Sequence, residues 1–118
     1  MESDDTGAPR SRLSKSLLRF GLVRVHGRSM QPTVRDRDVL MVSYGRRPTP
    51  GRLVIVQLPG GRATAVKRAL RRDSDGWWVE RDNPAEGVDS WSVGAIADQD
   101  VIAAVLVRIW PLRIYPTL

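Results

Sequence analysis

The sequence predicts a mainly β fold: a small antiparallel sheet, curled or barrel-like, with a short N-terminal tail before it. Three observations predict it. Short runs of Val, Leu and Ile recur between clusters of Gly, Pro and Asp, which is the pattern of strands and tight turns. No internal repeat and no long amphipathic helical period interrupts them. Leu, Ile, Val and Phe together make 31 of the 118 residues, well above the share of about 20% below which chains stay disordered. A sheet of this size exposes costly edges unless it curls or closes, hence the expected shape.

The elements follow in order. Residues 1–12 are polar and irregular, and with the next ten they read as a flexible tail over 1–22. Within it, Ser14 to Phe20 can form one or two helical turns with Leu17, Leu18 and Phe20 on one face. The domain proper is expected over 23–118. Val23 and Val25 alternate with polar residues, and Val39 to Val42 is an apolar run, so both read as strands. Gly45 to Gly51, holding Pro48 and Pro50, reads as a loop. Leu53 to Leu58 and Ala63 to Leu70 flank Pro59-Gly60-Gly61-Arg62 as the arms of a hairpin. The turn Asp73-Ser74-Asp75-Gly76 leads into Trp77 to Glu80, their next neighbour. Arg81 to Asp98 reads as loop, and Val101 to Ile109 as a last long strand.

Composition removes several chemistries. The chain has no Cys and one His, which excludes disulfides, thiolate metal sites, a cysteine nucleophile and a multi-histidine metal centre; no cofactor and no metal is expected. Met1 is followed by Glu2, Asp4 and Asp5 rather than a basic and apolar leader, and no apolar run approaches the ~20 residues that span a bilayer. The expectation is a soluble, cytoplasmic protein. Residues 1–72 hold 16 basic and 5 acidic side chains, and residues 73–118 hold 3 and 8. The basic half has no recognition helix and no interleaved aromatics, so no nucleic-acid partner is expected. Ile109, Trp110, Leu112, Ile114 and Tyr115, mixed with Arg108 and Arg113, are apolar enough to touch a bilayer surface peripherally. Core packing or substrate contact is the favoured role for them.

Two residues stand out chemically. Of the 19 basic residues 17 are Arg, so Lys67 occupies a position where this chain does not use its ordinary cation. Arg keeps its proton, whereas a desolvated Lys can lose one and act as a base. In a strand Lys67 shares a face with Ala63, Ala65 and Ala69, which leaves room above it for another chain. Ser29 lies in Gly27-Arg28-Ser29-Met30-Gln31-Pro32-Thr33, where a strand breaks into a turn; a serine there, its backbone N–H free, is placed as a nucleophile. His26 is better read as structural than as a base, because no orienting carboxylate is identifiable for it. Asp82, Asn83 and Asp89 suit a loop fixed by side-chain hydrogen bonds to backbone.

In this order, the segments resemble the signal peptidase I family of serine-lysine proteases, over about Val25 to Pro111. The run around Ser29 is similar to its nucleophile motif, and Val66-Lys67-Arg68 to its lysine motif. Asp82-Asn83, Asp89-Ser90 and Gly94 are similar to its last box. The resemblance implies a β catalytic domain in which Ser29 attacks, Lys67 is general base, the Ser29 backbone N–H is an oxyanion donor, and Asp82, Asn83, Asp89 and Ser90 form a supporting loop. Three positions depart from the pattern. Gly87 stands where many members have a Ser that helps hold the lysine, Trp91 where many have Arg, and Gly27 where some place an oxyanion-hole hydroxyl. No segment reads as the membrane anchor usual in the family. With Arg108-Ile109-Trp110-Pro111 near its end, the chain looks most like the branch that matures nickel-type superoxide dismutase. That implies a partner with a short N-terminal leader, the dismutase precursor, the nickel belonging to the substrate. The competing expectations are a processing enzyme for another precursor, an inactive peptide-binding module of the same fold, and the self-cleaving domain of a repressor. The last needs a DNA-binding module for which the residues before Val23 are too few.

Overall fold

Each β-branched run between turn signals forms a strand, and every pairing is antiparallel. The computed structural model describes residues 19–61, 63–111 and 118. Its strands are β1 (Phe20–Arg24), β2 (Val39–Tyr44), β3 (Leu53–Gln57), β4 (Thr64–Asp73), β5 (Gly76–Glu80) and β6 (Val101–Trp110). They make one sheet in the order β1-β2-β6-β3-β4-β5, which is not closed: β1 and β5 are its edges. Among the described residues the helical pieces are a single turn, α1 (Ser90–Val93), and a 3-10 turn over Asp98–Asp100.

The central strand explains the packing. Leu53, Val54, Ile55 and Val56 of β3 are all buried because both faces of the sheet are covered there. Leu53 and Ile55 join Val25, Met30, Val34 and Leu40 in one core, while Val54 and Val56 join Ala69, Trp77, Val79 and Ile96 in the other. The long β6 slips register at two places against β2 and once against β3. Such bulges add local twist and bend a strand. The curl brings the end of β1 near the start of β4, leaving between them a cleft of about 150 Å³ lined by Val23 to His26, Ile55 and Thr64 to Val66.

Several expectations need correction. Phe20 belongs to β1, where it pairs with Ser43, so pairing with β2 overrides the local helical pattern and the sheet begins inside the expected tail. Residues 1–18 lie outside the described residues. β4 continues past Leu70 to Asp73 because its pairing with β5 resumes after a register shift between Ala69 and Arg71. The segment 81–98 is not all loop: Asp89 Oδ1 accepts from the Trp91 N–H and caps α1, and Trp77 forms an isolated bridge with Ile96. Core packing fails for Ile109 and Trp110. Leu40 pairs with Arg108 and Val39 with Trp110, so Ile109 is the extra residue of a bulge and Arg108 takes the inward place, leaving Trp110 66% exposed. Leu112, Arg113, Ile114 and Tyr115 fall outside the described residues. No helix among the described residues is long and apolar enough to cross a membrane.

Candidate active site

The turn that carries Ser29 is built by its neighbours. Past the end of β1, Val25 is tied on both sides, its N–H to the Asp38 carbonyl (2.8 Å) and its carbonyl to the Arg37 N–H (2.7 Å). The Gly27 N–H donates to Asp36 Oδ1 at 2.9 Å, so this glycine contributes neither a side chain nor a free amide to an oxyanion hole. Beyond it Met30 and Val34 plug into the core, and the Val34 N–H closes a turn on the Met30 carbonyl at 3.0 Å. Ser29 is thus held between an exposed glycine turn and a buried anchor. Among the described residues nothing accepts from its N–H.

Lys67 lies mid-strand in β4, opposite Val54, on the face of the second core. It is only 2% exposed. The sequence leaves room above this face for an incoming chain, and the structure corrects that: the loop from Arg81 to Asp89 already covers the lysine. The contact is read at Gly87, whose φ of +87° suits glycine. A methyl group there would fall 2.5 Å from Ser29 Cβ, 3.5 Å from Ser29 Oγ and 3.3 Å from Lys67 Nζ. The hydroxyl and the amine therefore flank one point, and no side chain fits between them. A serine at 87 could not hold this lysine without displacing Ser29.

Asp82 and Asn83 join the two halves of the site. Asp82 accepts from Thr33 Oγ1 at 2.5 Å and from Arg68 Nε and Nη2 at 2.9 and 2.7 Å, so it ties the turn that carries Ser29 to the residue next to Lys67. The Asn83 N–H donates to the Ser29 carbonyl (2.8 Å), and its Nδ2 to the Arg28 carbonyl (2.9 Å). Asp89 caps α1, and the buried Ser90 hydroxyl accepts from the Val79 N–H at 2.8 Å, anchoring the loop on β5.

Electrostatics separate the groups. Burial lowers the Lys67 pKa from the usual ammonium range; Asp89 pulls it back up and Arg81 pushes it further down, with the net shift downward. Asp89 is only partly free to act, because its Oδ2 lies 3.7 Å from Arg81 Nη1. Arg68, the neighbour of Lys67 along β4, is engaged by Asp82, and the cation that pushes the lysine down is Arg81. For Asp82, burial alone would raise the pKa, but hydrogen bonds from Arg68 and Thr33 outweigh it and hold the carboxyl below the usual range. His26 is exposed past the end of β1 and lines the cleft. Among the described residues no three His, Asp or Glu side chains cluster as metal ligands.

Ser29, Lys67, Asp82, Asn83 and Asp89 are thus gathered around one loop, with Ser90 behind it as a structural tie. Sequence reasoning missed Arg81, Thr33 as the partner of Asp82, and Arg68 as its clamp. One signal was available for Arg81: it is one of only three basic residues in the acidic half, residues 73–118.

No curated protein matches the chain. The profile described as Peptidase S24-like matches residues 8–106, a span that includes all six site residues and five of the six strands in full. By that match over most of its length, the chain belongs to the Peptidase S24-like family.

Proposed function

We propose that the chain is a serine endopeptidase whose nucleophile is Ser29 and whose general base is Lys67. The observation that carries this reading is their convergence on Gly87: a serine hydroxyl and the amine of a buried, depressed lysine both come within about 3.5 Å of one point beside a residue that has no side chain. Neutral Lys67 takes the Oγ proton as Oγ attacks the scissile carbonyl carbon, and the carbonyl electron pair moves onto oxygen, where the Ser29 N–H receives it. Collapse of that intermediate breaks the C–N bond, and the departing amine takes the proton back from the Lys67 ammonium. Water, deprotonated by the same lysine, then hydrolyses the Ser29 ester.

The cleft between the end of β1 and the start of β4 accepts the substrate as an extended strand, its backbone bonding to the strand edges. Removal of a short N-terminal leader from a precursor in the cytoplasm, with nickel-type superoxide dismutase first among candidates, is the finer form of this proposal. It is supported by the likeness of the three motifs and of Arg108-Ile109-Trp110-Pro111. The test is mass spectrometry and N-terminal sequencing of such a precursor after incubation with the wild type and with Ser29→Ala. Cleavage by the wild type alone is expected; equal cleavage by Ser29→Ala removes Ser29 as nucleophile. The mass of the chain itself, read in the same run, separates cleavage of a partner from cleavage of its own N-terminal segment.

A further inference from the structure

Among the described residues, Arg81 is the cation that both grips the covering loop at two carbonyls and acts electrostatically on the lysine. Its Nη1 donates to the Gly87 carbonyl at 3.0 Å and its Nη2 to the Pro84 carbonyl at 3.2 Å, so the guanidinium forks across the turn that lies on Ser29 and Lys67. The same Nη1 stands 3.7 Å from Asp89 Oδ2. We propose that Arg81 is a positioning residue of the dyad, its guanidinium stapling the Pro84–Gly87 turn over Ser29 while holding Asp89 away from the Lys67 amine. This rests on the dyad reading and adds to it what sets the geometry and protonation of the lysine.

The physical argument has two parts. Gly87 makes the close approach to Ser29 and Lys67 with backbone alone, so the dyad spacing depends on where this turn sits, and displacements near 1 Å at a reacting centre cost roughly a hundredfold in rate. Arg81 holds the turn by two carbonyls, a planar fork that Lys cannot reproduce. Electrostatically, Arg81 repels a protonated Lys67 and at the same time engages the acid that would stabilise it. The other charges near the site are matched elsewhere: Arg68 with Asp82 (2.7 Å), Arg28 with Glu86 at the exposed mouth (3.7 Å), and Glu80 with Trp91 Nε1 (3.0 Å). Val54, opposite on β3, carries no charge. Removing Arg81 leaves Asp89 to pair with the ammonium, so Lys67 gains a proton at neutral pH and loses its function as a base.

The chain suits a direct test, because Lys15 and Lys67 are its only lysines. Protein labelled with ¹³C at lysine Cε gives two resonances, and Lys15→Arg assigns them. Both are titrated from about pH 5 to 12 in the wild type, Arg81→Met, Arg81→Lys (whose added third resonance is identified by comparison with the wild type) and Arg81→Met/Asp89→Asn, beside pH profiles of kcat/KM. In Arg81→Met the Lys67 midpoint rises by about one pH unit or more, and the rising limb of kcat/KM moves up with it. In the double variant both come back down. Arg81→Lys keeps the charge and the midpoint but not the fork, and kcat falls about tenfold or more at every pH. Should Arg81→Met fail to fold, Arg81→Gln replaces it in the same titration. An unmoved Lys67 midpoint without the Arg81 charge, or full activity in Arg81→Lys, overturns the proposal. The dyad reading fails on a different result, native cleavage by Lys67→Ala, which is independent of the titration.

Discussion

Arg108, near the end of β6, and Lys67, in the middle of β4, are both nearly removed from water, 5% and 2% exposed, and their surroundings answer them in opposite ways. Arg108 Nη1 donates to the Thr33 carbonyl at 3.0 Å and lies 3.8 Å from Asp38 Oδ2, and both ion-pair side chains are buried. Among the described residues Lys67 has no such partner: Asp89 is diverted to Arg81 and to the cap of α1. An arginine cannot lower its burial cost by losing a proton, so the fold must supply an acid. A lysine can, and one left without an acid is kept for the neutral form. The β6–β2 end therefore uses a buried cation as structure, and the β4 end, in the function proposed above, uses one as a base.

The sharpest way to break this comparison is to exchange the cations. Lys67→Arg is expected to lose at least about a thousandfold in kcat/KM, as much as Lys67→Ala, although it keeps the charge; progress curves on a cleaved precursor peptide decide it. Next comes Arg108→Met against Lys67→Met. Removing Arg108 takes the cation from a buried carboxylate that keeps the Arg35 N–H, and should cost about 3 kcal/mol, whereas Lys67→Met replaces a buried amine by an apolar chain and should leave stability within about 1 kcal/mol or raise it. Urea titrations of the two variants read the difference, and equal losses would remove the distinction.

Gly87→Ala follows. Its Cβ would meet Ser29 Cβ at 2.5 Å in a backbone conformation that alanine disfavours, so cleavage should fall about a hundredfold; a gain in rate would show that the site tolerates a side chain between hydroxyl and amine.

The pH dependence of stability sharpens the same contrast. With its folded pKa lowered, Lys67 binds a proton more readily in the unfolded chain between that value and the ordinary 10.5. Stability attributable to it therefore rises with pH through that window, by at most about 1.4 kcal/mol per unit, and is flat below. The slope should vanish in Lys67→Met and persist in Arg108→Met. Asp82, depressed, works in the usual direction: its contribution is complete above pH 3.8 and is lost as pH falls through the folded value. The smallest effect is that of Thr33→Val, which removes one hydrogen bond to Asp82 and should cost about 1 kcal/mol, visible as a lower urea midpoint with the acid-loss window shifted upward.

Much of the fold was legible in the chain because its strands are short and clearly punctuated. Pro59-Gly60-Gly61-Arg62 and Asp73-Ser74-Asp75-Gly76 mark reversals by turn chemistry that acts over a few residues, and both hairpins form. Ser29 at a strand's end and Lys67 among arginines also stood out locally. What did not was anything set by register. The local pattern at Phe20 is helical and only pairing with β2 overrides it; of the two roles open to Trp110, core packing or substrate contact, the bulge at Ile109 removes the first by turning Arg108 inward.

By itself, then, the sequence determined where the chain turns, which runs become strands, and that one lysine sits where an arginine would otherwise stand. Tertiary structure alone decided which charges are answered. Thr33 is 49 residues from Asp82 and 75 from Arg108, and Asn83 is 55 from the Arg28 carbonyl it holds. Turn chemistry and side-chain alternation are properties of neighbours along the chain and can be read from it. Desolvation and charge pairing depend on what folding brings within a few ångströms. Whether a buried cation becomes a strut or a base is settled there.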